Sequence, residues 1–261
     1  MLKIRGYSKR KSQKQIPLKE VENRNEQFEY ISRLKDSFKL DENPVLSIDT
    51  KKKELLGNFY RDGKIYTKET IKVYDHDYPS YAEGKVIPHG IYDLLENTGY
   101  MTIGKSMDTS EFMIDNLENY WLNEIAKNYN NADTLLILCD GGGSNSSRGF
   151  QLKKRLQTLS NKLKIKIKVA HYPPYCSKWN PIEHKLFCHV HRAIQGVVFK
   201  DYQTVKELIE NTKTTSGLNV KVSINSKIYS KSEKLSQNEI ETLNIIPDSF
   251  LPKWNYTILP N

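Results

Sequence analysis

Apolar residues recur at three- and four-residue steps through Phe28, Ile31, Leu34 and Phe38, the period of one buried helical face, and predict a helix over 25–40. After Pro44 the pattern changes to a short continuous apolar run, Val45 to Asp49, which reads as a buried strand. Leu55 to Tyr60 reads as a ragged continuation of it, across a Lys51-Lys52-Lys53 stretch expected to be solvated. Residues 61–85 are polar and aperiodic and predict a loop. His89 to Leu94 and Tyr100 to Gly104 flank the turn-like Glu96-Asn97-Thr98-Gly99, which predicts an antiparallel hairpin. Asp108-Thr109-Ser110-Glu111 supplies an N-cap with an acid at the third helical position, ahead of inward Phe112, Ile114, Leu117, Trp121 and Ile125. Leu135 to Asp140 is too apolar for a solvated edge and suits the centre of a parallel sheet. A second amphipathic helix covers 147–163, with Phe150, Leu152, Leu156, Leu159 and Leu163 inward; Ile165, Ile167 and Val169 then alternate with lysines, the period of a strand.

From 45 to 195 the order is strand, strand, strand, helix, strand, helix, strand, helix. Three antiparallel strands followed by helix-linked parallel strands is the order of an RNase H-like α/β fold, a mixed sheet flanked by helices. The chain divides into a basic N-terminal segment with a helix (1–40), the RNase H-like domain (41–195) and a C-terminal accessory subregion (196–261). The last carries a strand-like Val220 to Ile224 and a short helix from Ser236 to Leu243.

This order places three acids. Asp49 ends the first strand, Asp140 ends the strand Leu135 to Cys139, and parallel central strands bring such residues to the end of the sheet where open α/β folds hold ligands. Glu183 opens the last helix. If the three converge, they form a cage of hard oxygen ligands for magnesium or manganese, chemistry suited to holding phosphate and therefore to DNA or RNA strands. Each acid also has a plainer reading. Asn180, Pro181 and Glu183 form a capping arrangement, Asp140 is a turn aspartate beside Gly141-Gly142-Gly143, and Asp49 caps the turn into Lys51. The glycine run is not a nucleotide P-loop, since no lysine follows at the required spacing.

Charge sharpens the choice of partner. Lys plus Arg number 40 against 31 for Asp plus Glu, a net charge of +9 whose field attracts polyanions. The basic cluster from Lys3 to Lys14 is expected to be mobile or to face DNA, and the lysine side of 164–168 to be wet or to face DNA. Three cysteines without a CxxC pair argue against a disulfide framework and fit a reducing cytoplasm, and no apolar run reaches the length of a membrane span. Cys176, His184, Cys188 and His191 match no familiar zinc spacing and read as packing and surface positions.

Three motifs together narrow the field. Ser47-Ile48-Asp49-Thr50-Lys51-Lys52-Lys53-Glu54, Cys139-Asp140-Gly141-Gly142-Gly143-Ser144-Asn145 and Ser177-Lys178-Trp179-Asn180-Pro181-Ile182-Glu183-His184 closely resemble the catalytic region of bacterial insertion-sequence transposases of the DDE type, distantly mariner-like. The resemblance extends from about Gly6 to Tyr256. It implies an Asp49, Asp140, Glu183 triad holding two Mg2+ or Mn2+ ions, double-stranded DNA at element ends and target as substrate, and self-association on DNA. The implied reaction is strand cleavage followed by 3′-hydroxyl strand transfer, with no serine or tyrosine nucleophile. Lys51, Lys52, Lys53, Ser177, Lys178, Trp179 and Asn180 are the accompanying candidate DNA contacts, with Asn180 and Ser177 either positioning Glu183 or touching the backbone and Trp179 either stacking on a base or packing on the core. Transposases of this kind usually carry an N-terminal helix-turn-helix region, and this chain begins too late for a full one, so a truncated reading frame is expected. The alternatives are another RNase H-like metal nuclease and a catalytically silent DNA-binding remnant.

Overall fold

Val45–Thr50 (β1) needs apolar cover on both faces, since Leu46 and Ile48 point to one side and Val45 to the other, and it accordingly lies inside the sheet. The computed structural model of the protein describes residues 5–8, 10, 20–231 and 234–261; Lys3, Lys9, Lys11 and Lys14 of the basic N-terminal cluster lie outside them. The short Glu54–Leu56 (β2) follows β1 along the same partner, Gly84–Asp93 (β3), both antiparallel. Thr50 pairs with His89 and Glu54 with Val86, so Lys51, Lys52 and Lys53 stand opposite only two residues of β3. The lysines are thus a bulge between two collinear strands, which is what interrupts the apolar pattern there. Lys52 and Lys53 are exposed as expected, but Lys51 is not, its side chain being 13% accessible.

Thr98–Gly104 (β4) completes the hairpin with β3. On the other side of β1, Thr134–Cys139 (β5) pairs in parallel, and Lys166–His171 (β6) pairs in parallel with β5. Residues after 196 supply strands at both ends of this sheet. Asn219–Asn225 (β7) runs parallel to β4, while Ile245–Pro247 (β8) and Asn255–Ile258 (β9) attach beyond β6. The order is β7-β4-β3-β1-β5-β6-β9-β8, with β2 beside β3.

Helices cover both faces. Arg24–Leu40 (α1) lays Ile31 against Val45, Leu136, Leu138 and Tyr172, with Phe28, Leu34 and Phe38 at its margin. Ser110–Asn123 (α2) and Phe150–Leu163 (α3) cover the opposite face, where Leu117, Leu152, Leu156 and Leu159 meet Leu46, Ile48, Leu135 and Ile137. Full burial of each such side chain contributes about 1.5–3 kcal/mol, so this face is a principal source of stability. The N-cap of α2 is Thr109, whose hydroxyl accepts the Phe112 N–H at 3.1 Å, which leaves Asp108 for another partner. Helix α3 begins three residues later than its pattern predicts, because Ser146 to Gly149 close a turn, and Phe150 is 41% exposed instead of inward.

Beyond β6 a π-helical segment, Glu183–Phe187, leads into Cys188–Ile194 (α4), and Tyr202–Glu210 (α5) packs beside it over the hairpin. Gln237–Glu241 (α6) starts from a Ser236–Glu239 capping box. The expected wet or DNA-facing side of β6 is covered at Lys168, which is ion-paired to Asp248 beneath the Tyr30 ring of α1, while Lys164 and Lys166 are exposed as expected. Among the described residues no helix is long and apolar enough to cross a membrane.

Candidate active site

The parallel register that pairs Ile48 with Cys139 sets the next residues, Asp49 and Asp140, side by side at the ends of the central strands. Alternation fixes their direction. Asp49 lies two residues beyond Ser47 and Asp140 two beyond Leu138, so both face the side covered by α1 and the 181–194 helical segment. Glu183 is in the first turn of that segment. Its approach is tight: at Gly90, the register partner of Asp49 on β3, an added Cβ would lie 2.5 Å from the Phe187 ring and 3.0 Å from Ile182.

The neighbouring acids act on Asp49 and Glu183. Asp49 is pushed up to about 7, first by burial, then by the charge of Asp140, with Glu183 and Asp108 adding to it and the Thr50 N–H opposing. Burial also raises Glu183, against the cations Lys51 and His184. Asp108 joins the group because Thr50 donates its hydroxyl to it at 3.1 Å. Among the described residues no three His, Cys, Asp or Glu side chains stand close enough together to hold an ion as they are. The donor set nevertheless suits a hard divalent cation, since it offers carboxylate oxygens whose mutual repulsion a cation relieves.

Asn180 does not cap its own helix and is not on the surface. It is fully buried, and its side chain is spent on β1: Oδ1 accepts the Ser47 hydroxyl proton and Nδ2 donates to the Ile48 carbonyl at 3.3 Å. Ser47 in turn accepts the Ile182 N–H at 3.0 Å. A serine of the first strand therefore caps the helix that begins at Glu183.

Asp140 is held differently. Its Oδ1 accepts the Gly142 N–H at 3.2 Å and the Asn145 amide at 3.3 Å. Below it the fully buried His171 lies 3.0 Å from the Asp140 carbonyl through Nδ1 and 3.3 Å from the Tyr256 hydroxyl through Nε2. Burial pushes this imidazole down to about 4, so it is neutral at pH 7, and the tautomer with its proton on Nδ1 satisfies both contacts. A cavity of about 430 Å³ opens beside Asp140, lined among others by Gly142, Ser147, Arg148, Tyr172, Ser177 and Trp254.

Of the other sequence candidates, Ser177, Lys178 and Trp179 are exposed on a 3-10 turn next to the acids. Trp179 is 52% exposed, with one edge on Phe28 and the Lys178 ammonium over its ring. The four Cys and His positions around it form no metal cluster among the described residues; Cys188 donates to the His184 carbonyl, and Cys176 receives the Arg24 Nε–H. Sequence reasoning missed Ser47, Asp108, Asn145 and His171. A lone hydroxyl within Val45-Leu46-Ser47-Ile48 and a histidine closing the run Val169-Ala170-His171 were the available signals.

The fold is similar to that of the Mos1 transposase in three solved complexes. The paired-end complex with left transposon end matches at TM-score 0.52 and 18% identity over 78% of this chain. The Mos1 mariner paired-end complex with Mn matches at 0.51 and 16%, and the Mos1 strand transfer complex at 0.50 and 16%, each over 78% of this chain. The chain spans 58–59% of the length of those structures. No curated protein matches it. The family model described as the Rhodopirellula transposase DDE domain matches residues 1–260, nearly end to end, and the chain belongs to that DDE transposase family.

Proposed function

We propose that this chain is a transposase catalytic core that cleaves DNA at the end of an insertion sequence and joins the resulting 3′ hydroxyl to target DNA. What supports this reading is the parallel register that sets Asp49 and Asp140 side by side at the ends of β1 and β5, with the charges of Asp140 and Glu183 both adding to the upward push on Asp49. Asp49, Asp140 and Glu183 would hold two Mg2+ or Mn2+ ions. When bound, such a pair supplies an activated water or hydroxyl and charge stabilisation at the leaving oxygen.

The chain's own residues do the rest. The ends of β1 and β5 present two neighbouring carboxylates, and Glu183 is carried by a helix anchored on β1. Gly141, Gly142 and Gly143 carry no side chains to keep a DNA backbone away from Asp140. Lys51, largely buried and 3.9 Å from Glu54, places a cation whose charge reaches Glu183, while exposed Lys52, Lys53 and Lys178 add sequence-independent attraction for phosphates. The surplus of basic residues supports double-stranded DNA as partner, self-association on it is proposed only from the likeness to the DDE transposases, and three free cysteines suit the cytoplasm. Catalysis is assigned to residues 41–195, which hold all three acids, with 1–40 and 196–261 as flanking segments.

The test is strand transfer of a pre-cleaved duplex with a 3′ hydroxyl into plasmid DNA in Mn2+, for the native chain and for Asp140→Asn. Joining by the native chain and none by the variant supports the reading; cleavage without joining assigns the chain to the metal nucleases of the same fold. The open spacing of the acids is what favours a second reading, a silent DNA-binding remnant. For that protein Asp140→Asn leaves every measured property unchanged.

A further inference from the structure

Two of the three acids are tied together by a closed circuit of buried hydrogen bonds. Ser47 lies two residues before Asp49, and Asn180 lies three before Glu183; both are fully buried. The Ser47 hydroxyl donates to Asn180 Oδ1 and accepts from the Ile182 N–H, while Asn180 Nδ2 donates to the carbonyl of Ile48, the residue before Asp49. The Asn180 carbonyl accepts the Glu183 N–H at 3.0 Å, so the same residue also starts the helical turn that bears the acid. The circuit uses the Ser47 hydroxyl as donor and acceptor, and it spans more than 130 residues of sequence. Core packing alone does not ask for it, because apolar residues of similar size would fill the same space without an obligation to be satisfied.

We infer that Ser47 and Asn180 are positioning residues which set the separation of Asp49 and Glu183, and so the affinity of the site for divalent cations. This rests on the metal-dependent reading above. Groups that orient metal ligands from behind typically change metal affinity or activity about 10–100-fold when removed. Ser47 and Asn180 act as one unit, so their effects should not add.

The experiment uses the full chain and Mn2+ alone as probe, followed by calorimetric titration, with binding of a short DNA duplex in EDTA as a second readout. Ser47→Ala and Asn180→Ala should each weaken Mn2+ binding about 10–100-fold, the double variant should be no worse than Asn180→Ala, and metal-free DNA binding should not change. Ser160→Ala serves as control: it deletes a buried hydroxyl bonded to the Ile165 carbonyl on the opposite face, and should lower the melting temperature while leaving Mn2+ affinity intact. Should Asn180→Ala fail to fold, Ser47→Ala, which removes only one oxygen, decides the matter. Native Mn2+ affinity in folded Ser47→Ala overturns the inference. Asp140→Asn separates the two levels: if it too binds Mn2+ like the native chain, the metal-dependent reading has failed, whereas loss there with retention in Ser47→Ala dismisses the positioning role alone.

Discussion

The two halves of the candidate site are built on opposite principles. Asp49 and Glu183 stand on elements locked to each other, by the Ser47–Asn180 circuit and by Phe187 and Ile182 pressed onto Gly90. Asp140 stands where the chain leaves β5 into three consecutive exposed glycines, with two hydrogen bonds of 3.2 and 3.3 Å at its carboxylate and a firm support only at its carbonyl. The contrast shows where precision has been invested. Two of the acids stand on elements fixed by the core, and the third is fixed through its backbone while its side chain keeps local freedom.

The largest effect that probes this contrast comes from neutralising either half. Asp140→Asn and Asp49→Asn should each lower Mn2+-dependent DNA strand cleavage about a thousandfold or more, equivalent to about 4 kcal/mol of transition-state stabilisation. Gel analysis of supercoiled plasmid nicking measures it; a loss in one variant alone would mean that the halves do not serve one site.

Next come two like substitutions with unlike outcomes. Gly90→Ala drives a methyl group into the Phe187 ring and should cost about 1–3 kcal/mol, a fall of about 2–4 °C in melting temperature for each kcal/mol. Gly142→Ala meets nothing nearer than the Asp140 carboxylate at 3.5 Å and should stay within about 0.5 kcal/mol. Equal losses in thermal melts would erase the distinction between a locked and a free half.

A pH effect of similar or smaller size follows from Asp49. Its carboxyl is raised from an ordinary 3.8 to about 7, so the folded chain holds a proton that the unfolded chain has released. Stability from this group is therefore full below about 3.8 and is lost as pH rises through about 7. Asp49→Asn, which cannot ionise, should melt several degrees above the native chain at about pH 8, with the gap closing towards about pH 4. Melting curves over that range without a change in the gap would remove the repulsion from the account. The smallest effect belongs to the exposed lysines: Lys52→Ala should reduce the salt slope of duplex binding by about one and weaken all sequences alike, as fluorescence anisotropy at graded salt would show.

How much of this could be read in advance depends on the distance over which each feature is determined. The acids were legible because a carboxylate at the end of Leu135 to Cys139, or after Val45 to Ile48, is a local event, and the order of elements then dictates where parallel strands bring them. The hairpin and α2 were legible for the same reason. The plainer reading of the Asn180 side chain as a cap fails because its partner lies on β1, and no pattern in its own segment announces that. Lys168 was assigned to a wet surface because Asp248, which neutralises it, lies 80 residues away. The bulge at Lys51 to Lys53 was half legible: the break in apolar pattern marks it, but only pairing with β3 reveals that Lys51 turns inward.

The pairing of β9 with β6 has a consequence for biogenesis. Tyr256 reaches the imidazole beneath Asp140, and Asn255 exchanges amide hydrogen bonds with Gln27 of α1. A nascent chain is built from its N-terminus, and domains fold as units as they emerge. Asp140 thus gains its full underpinning only when residues 255–258 have left the ribosome, so ribosome-bound intermediates that stop short of them lack the support beneath this corner of the candidate site.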